Sequence, residues 1–365
     1  MTITATPPRQ DVAPVRSQLT SGHLPAWAVW AMVGGSLAAM LAVFAIVAVG
    51  SGDDLNIAGW LVSAGLLYLV LIFTISSIVE SRRKAVDRLV TGVVASAFII
   101  AMVPLISVAW TVIVNGIARF DAEFFTSSMR NVVGEGGGVL HAIVGTLLIT
   151  GMAALISIPI GLMAAIYLVE YGQGTRLGRG ITFLVDVMTG IPSIVAGLFA
   201  YALFALFFGP GIRMGFMGSI ALSVLMIPVV VRSTEEMLRL VPNELREASY
   251  ALGVPKWLTV VKVVLPTSIA GITTGIMLSI SRVIGETAPL LITAGFTNSM
   301  NYDLFDGRMQ TLPVFTYTEY MNKGIPPEAY IDRAWAGALT LILIVMLLNL
   351  VARIVAKVFS PKTGR

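Results

Sequence analysis

Between two long apolar stretches the chain reads Val241-Pro242-Asn243-Glu244-Leu245-Arg246-Glu247-Ala248-Ser249-Tyr250-Ala251-Leu252-Gly253, and, after nine intervening residues, Val263-Val264-Leu265-Pro266. Pro242 suits the first turn of a helix, where a missing amide hydrogen costs nothing, and Gly253 suits a left-handed stop. Leu245, Ala248 and Leu252 fall at i, i+3 and i+7, so they share one face of that helix. A short amphipathic helix is thus held in a charged loop between two segments that are themselves far too apolar for water.

Outward from this loop, the rest of the chain decides the solvent. Of 365 residues, 56% are hydrophobic and 12% charged, about half the charge of an ordinary soluble domain. A bilayer-crossing helix needs roughly 20 consecutive apolar residues. Eight approximate runs qualify: Trp27–Val49, Ala58–Val79, Leu89–Val114, Val139–Leu168, Ile181–Phe208, a run beginning at Gly218, Ile269–Phe296 and Trp335–Ala356. Trp27, Trp30, Trp60 and Trp335 stand near run ends, where interfacial aromatics gather. An all-α polytopic membrane protein is the predicted fold class.

An even number of spans puts both termini on one side. With the tails inside, 17 of the 24 Lys and Arg residues fall in cytoplasmic segments and six in outer ones, the bias expected of retained positive charge. Residues 1–26 and 357–365 therefore read as cytoplasmic tails, and the loop 236–266 faces the cytoplasm. The first two spans, within 27–80, contain no ionisable residue and precede the basic stretch Ser81-Arg82-Arg83-Lys84. They form an accessory hairpin ahead of a core over 81–356. Gly134-Glu135-Gly136-Gly137-Gly138 lacks the Lys-Ser/Thr of a phosphate loop and reads as a flexible linker.

Composition also removes whole classes of chemistry. The chain has no Cys and only two His, His23 and His141, so neither a metal site nor a catalytic triad has material to draw on. The basic residues are scattered between spans, which argues against nucleic acid. No G-x-x-x-x-G-K-S/T occurs, so the chain does not cradle ATP in that way. An enzymatic role finds no catalytic residue.

The quoted loop resembles the coupling loop of type I ATP-binding-cassette importer permeases: E-A-A, three residues, G, nine residues, a hydrophobic residue, one more, then L-P. Glu247, Ala248, Gly253, Val263, Leu265 and Pro266 match, and Ser249 replaces the second Ala. The resemblance implies a helix that docks on a separate ATPase subunit, with ATP and Mg bound there and no cofactor in this chain. It also implies a six-helix core, here carrying two extra N-terminal transmembrane helices.

Charges at membrane depth mark the candidate path. From Gly218 to Val231 the sixth run is 14 residues, roughly 21 Å of a core about 30 Å thick. The helix must continue, bringing Arg232 and Glu235 with it on one face. Arg282 stands thirteen residues after Ile269 and fourteen before Phe296, with Glu286 one turn later and Pro289 beyond. A charge at the bilayer centre costs from about 2.5 to more than 10 kcal/mol, so it faces a cavity or a partner. Each Arg either neutralises its Glu structurally or lines a pathway with it. Asp186, in the fifth run, needs a basic partner that the sequence does not name.

Three segments extend the resemblance: Gly190-Ile191-Pro192-Ser193-Ile194-Val195-Ala196-Gly197-Leu198-Phe199, Val229-Val230-Val231-Arg232-Ser233-Thr234-Glu235-Glu236-Met237-Leu238 and Ser281-Arg282-Val283-Ile284-Gly285-Glu286-Thr287-Ala288-Pro289-Leu290-Leu291. They look like the phosphate-specific PstA branch of these permeases. What this implies is a multi-pass protein of the bacterial cytoplasmic membrane that imports inorganic phosphate. Arg232, Glu235, Arg282 and Glu286 would line the path, and a guanidinium fork suits phosphate. The implied partners are a PstC-like permease subunit, a PstB-like ATPase dimer and a PstS-like external phosphate-binding protein. A permease of the same architecture for sulfate or molybdate is the alternative.

Overall fold

A computed structural model describes residues 23–52 and 54–359. Most of both expected tails, 1–22 and 360–365, lies outside the described residues. Among the described residues every regular element is helical. By packing, the chain divides into two units, 1–109 and 110–365.

The first unit holds α1 (Ala26–Ser51), α2 (Ile57–Val79) and the first four-fifths of α3 (Arg82–Gly116). Asn56 caps α2 by accepting from the Gly59 amide at 2.8 Å, and Trp60 Nε1 donates to the Leu37 carbonyl at 2.9 Å, pinning α2 to α1. These helices are apolar on every side, with Ile46, Val62, Val70, Ile99 and Ile106 all exposed. A helix without a polar face needs an apolar solvent.

At the junction of α2 and α3, Glu80 is buried and accepts four hydrogen bonds. They come from the Leu24 amide at 3.0 Å, the Ser76 hydroxyl at 2.8 Å, and Arg88 Nε and Nη2 at 2.8 and 3.0 Å. Burial opposes its ionisation, but the Leu24 amide, Arg88 and Ser76 outweigh it and lower its pKa from 4.5 to about 2. A depressed carboxylate stabilises the fold above its unfolded pKa and ceases to do so as pH falls through the folded value. Hydrogen-exchange protection of the Leu24 amide is therefore expected to hold from pH 8 down to about 5. Below an ordinary value of 4.5 it should fade toward pH 2, and Glu80→Gln should weaken it at every pH; protection that ignores both changes counts against this anchor.

The second unit is built around α8 (Gly215–Arg239). Around it stand α5 (Leu140–Ile166, prolonged by a π turn, Tyr167–Tyr171), α6 (Arg176–Thr189), α7 (Ser193–Phe208), α11 (Leu265–Val283) and α12 (Ala288–Thr293). Leu222, Met226 and Val230 are fully buried in one cluster with Ile149, Ala153, Val283 and Leu290. Lipid offers helices no hydrophobic drive to associate, so small residues and interhelical hydrogen bonds matter more. Ser219 and Ser223 of α8 donate to the Ile149 and Ala153 carbonyls of α5, at 3.0 and 3.4 Å. Gly271 and Gly275 of α11 meet Met237 and Ser233 of α8 so closely that a Cβ would overlap them.

Among the described residues, seven helices are long and apolar enough to cross a membrane, and one further pair qualifies together while bent by 110°. That pair is α6 with α7, where the sequence predicts a single fifth span. Gly190-Ile191-Pro192 breaks it: Pro192 lacks an amide to continue the ladder and keeps Ile191 out of helical backbone. The seventh run is also divided, since α11 ends at Val283 and α12 begins at Ala288. Pro289 sits in the first turn of α12, and the interruption precedes it.

After the short helix α4 (Ala122–Thr126), the glycine stretch expected to be a flexible linker is tied down. Arg333, 1% exposed, donates to the Gly134 and Gly136 carbonyls at 2.6 and 3.2 Å and to Glu319 at 2.7 Å. Arg119 holds the Gly137 carbonyl at 3.0 Å. Arg333 belongs to α14 (Pro327–Phe359) and Glu319 to α13 (Leu312–Met321), so this loop is fastened to the last two helices. His141 is buried, with Nε2 3.0 Å from Gln310 Oε1.

Candidate functional site

The continuation of α8 to Arg239 brings Arg232 and Glu235 where the length argument places them. Arg232 Nη1 donates to Glu235 Oε2 at 2.9 Å. Its other terminal nitrogen, Nη2, donates to Asp186 of α6, which supplies the partner the sequence leaves unnamed. Arg239, one turn further along α8, donates to Glu235 Oε1 at 2.5 Å. The result is a chain of alternating charges, Asp186, Arg232, Glu235 and Arg239, joining two helices. Asp186, Glu235 and Arg239 line a cavity of about 490 Å³, together with Arg179, Thr182 and Phe183. An opening edged by two arginines and two carboxylates is suited to a polar, anionic passenger.

Arg282 is not part of this network. It is exposed in the last turn of α11, and Glu286 lies past the helix end in the interruption. Among the described residues neither makes an ion pair, so the i, i+4 neutralisation open in the sequence does not form. The facing pairs Gly275 with Ser233 and Gly271 with Met237 run antiparallel, which sets Arg282 level with about Met226, near the middle of α8. Arg232 and Arg282 are thus offset by roughly 9 Å along the bundle, at about 1.5 Å per residue. The seventh apolar run is interrupted close to that level, between α11 and α12, and irregular backbone inside a membrane is tolerated where it lines a cavity.

The loop after α8 folds as α9 (Asn243–Ala251), followed by α10 (Lys256–Thr259), which passes through a π turn, Val260–Val264, into α11. Pro242 is the residue just before α9. Gly253 is left-handed at φ +74°; its amide donates to the Tyr250 carbonyl at 2.9 Å and the Val254 amide to Ser249 at 3.2 Å. Those two bonds are the Schellman ending that lets a helix stop sharply. Glu247 and Ala248 are exposed, and so are Leu245, Tyr250, Leu252 and Trp257, with Leu252 84% exposed. Leu265 and Pro266 open α11. Ser249, where the family motif has Ala, is buried with its hydroxyl 2.8 Å from that of Thr259, so the departure is absorbed by one internal hydrogen bond.

Sequence reading missed what anchors α9. Arg246 reaches Glu170, in the π turn after α5, through Nε at 3.1 Å and Nη2 at 2.9 Å. It also donates to the Val241 and Leu238 carbonyls at 2.6 and 2.9 Å. The available signal was Glu170 itself, a carboxylate closing an apolar run with no basic residue within one turn.

Comparison with known proteins agrees with this architecture. The family model described as "Binding-protein-dependent transport system inner membrane component" matches residues 157–365. Phosphate transport system permease protein PstA 1 of Mycobacterium tuberculosis (strain CDC 1551 / Oshkosh) is 48% identical over 277 residues, 75% of this chain and 90% of that protein. Phosphate transport system permease protein PstA of Pasteurella multocida (strain Pm70) is 39% identical over 285 residues, 78% of this chain and 97% of that one. Among solved structures, an inward-facing MetNI methionine ABC transporter shares the fold, with TM-score 0.51 and 19% identity over 61% of this chain and 96% of its own. An apolar helical bundle with an exposed coupling-type helix, matched by that model over more than half its length, belongs to the family of binding-protein-dependent transport system inner membrane components.

Proposed function

We propose that this chain is a permease subunit of an ATP-driven inorganic phosphate importer, supplying half of the translocation path and one coupling helix. The observation that carries the reading is the pairing of two features on one bundle. An apolar-faced helix with a left-handed glycine stop projects from the end of α8, and an arginine and carboxylate network lies beside a cavity one to two turns away. The names of the relatives supply the passenger, phosphate.

In this reading both tails and α9 are cytoplasmic. A PstB-like ATPase dimer holds ATP and Mg and grips Leu245, Ala248, Tyr250 and Leu252, with Glu247 offered to a basic partner. A PstC-like permease completes the path, and a PstS-like protein delivers phosphate from outside. Arg232, Glu235, Arg282 and Glu286 line the route: the guanidinium forks bind the oxyanion, and the carboxylates weaken the positive field enough for it to leave. Residues 27–80 form an accessory hairpin ahead of the permease core.

The test is radiolabelled phosphate uptake in cells lacking this chain, complemented with wild type or Arg282→Ala, with and without excess sulfate. Wild type is expected to restore sulfate-resistant uptake, and Arg282→Ala to reduce it at least tenfold at equal membrane abundance. Uptake that sulfate or molybdate abolishes would transfer the assignment to another oxyanion. Full uptake with Arg282→Ala would remove that residue from the path.

A further inference from the structure

We propose that Asp186 is the displaceable counter-ion of Arg232, holding the guanidinium while the site is empty and yielding it to phosphate; this rests on the phosphate reading above. Both terminal nitrogens of Arg232 are engaged by carboxylates, Nη1 by Glu235 and Nη2 by Asp186. An oxyanion approaching the fork side-on meets a carboxylate already there, and two anions on one fork repel. One carboxylate has to withdraw.

The two are not equivalent. The Glu235 side chain is 8% exposed, lies on the same helix as Arg232 and holds Arg239 with its second oxygen. Its departure would strand Arg239, which has no other carboxylate among the described residues, and would leave Glu235 to be re-seated from a buried position. The Asp186 side chain is 59% exposed, comes from a different helix and has no second partner among the described residues. It can turn into the adjacent cavity, which it already lines, without desolvation cost. Its helix is suited to such movement, because α6 ends three residues later at the 110° bend and begins after the glycine-bearing turn Gly172-Gln173-Gly174.

The charge count gives the device its use. With Asp186 engaged, the four networked side chains sum to zero, and Arg179 at the cavity edge leaves the site one net positive charge. With Asp186 withdrawn, Arg232, Glu235 and Arg239 carry one net positive charge beside the cavity, which adds to that of Arg179. Return of the carboxylate expels the passenger. Asp186 is therefore a positioning residue that sets how long phosphate stays.

The test uses the full complex with its partner subunits in nanodiscs and radiolabelled phosphate as the probe, comparing wild type with Asp186→Asn and Asp186→Ser. Asparagine keeps the shape and one hydrogen-bond acceptor while removing the charge; serine guards against a packing artefact. Both are expected to bind phosphate about tenfold more tightly and to release it correspondingly more slowly, the order set by removing one charge at a half-exposed site. A residue that merely staples α6 to α8 would leave affinity unchanged in Asp186→Asn and lower it in Asp186→Ser. Unchanged or weaker binding in both variants, with wild-type complex binding normally, overturns the proposal. Wild-type complex that binds no phosphate refutes the phosphate reading instead.

Discussion

Replacing Gly253 with valine is expected to lower phosphate uptake at least tenfold while the permease still inserts and assembles. The residue occupies left-handed backbone at φ +74°, which costs an L-residue roughly 1–2 kcal/mol, and more where the side chain is β-branched. A Cβ there meets nothing within 4 Å in this chain, so the penalty is conformational and not a clash. Relief requires the Schellman bonds from Gly253 and Val254 to open, and these set the angle at which α9 leaves toward α10 and Trp257. The motor would then push on a misaimed helix, hydrolysing ATP without moving the bundle. Gly253→Asn separates the causes, because Asn tolerates left-handed backbone; it should retain most uptake. If asparagine fails as badly as valine, a partner surface pressed against the glycine, and not its φ, is responsible.

The fold was largely legible because lipid imposes a length rule that does not depend on tertiary contacts. Eight apolar runs became seven long helices and one bent pair, and counting the apolar residues of the sixth run was enough to carry α8 through Arg232 and Glu235. The bend in that pair was written in Gly190 and Pro192, but hydropathy is blind to direction: an apolar run scores the same straight or folded by 110°. The interruption after Val283 escaped for a related reason, since Pro289 drew attention to itself although the chain leaves the helix several residues earlier.

Partnerships divided by sequence distance. Arg232 and Glu235 pair as neighbours on a helix face, which periodicity reveals. Asp186 is 46 residues from Arg232, Glu170 is 76 from Arg246 and Gly134 is 199 from Arg333. Each of those contacts depends on which helices pack side by side, and local pattern carries no record of that. Arg282 with Glu286 is the reverse case: the spacing invited a pair, and the helix ended between them.

Cutting the Arg246 side chain back to alanine should disconnect the coupling helix, with uptake falling by at least tenfold. Among the described residues, Arg246 is the only side chain that ties α9 at once to the end of α8, through Leu238 and Val241, and to the π turn after α5, through Glu170. The Glu170 side chain is 4% exposed and that of Arg246 12%, so truncation leaves a carboxylate buried without its partner. Breaking a pair of this kind typically costs about 3–5 kcal/mol, whereas removing both partners costs less. Three variants then separate transmission from bulk stability. Arg246→Ala should lose most uptake relative to ATP hydrolysis by the assembled complex, Glu170→Gln should lose less, and the double variant should recover abundance without recovering uptake. Arg246→Lys keeps the charge but not the fork, and one ammonium cannot reach Glu170 and both carbonyls together, so it should fall between wild type and alanine. Uptake per ATP unchanged in Arg246→Ala would mean that the latch only holds the loop in place and that force passes to the bundle through the backbone of α10 and α11.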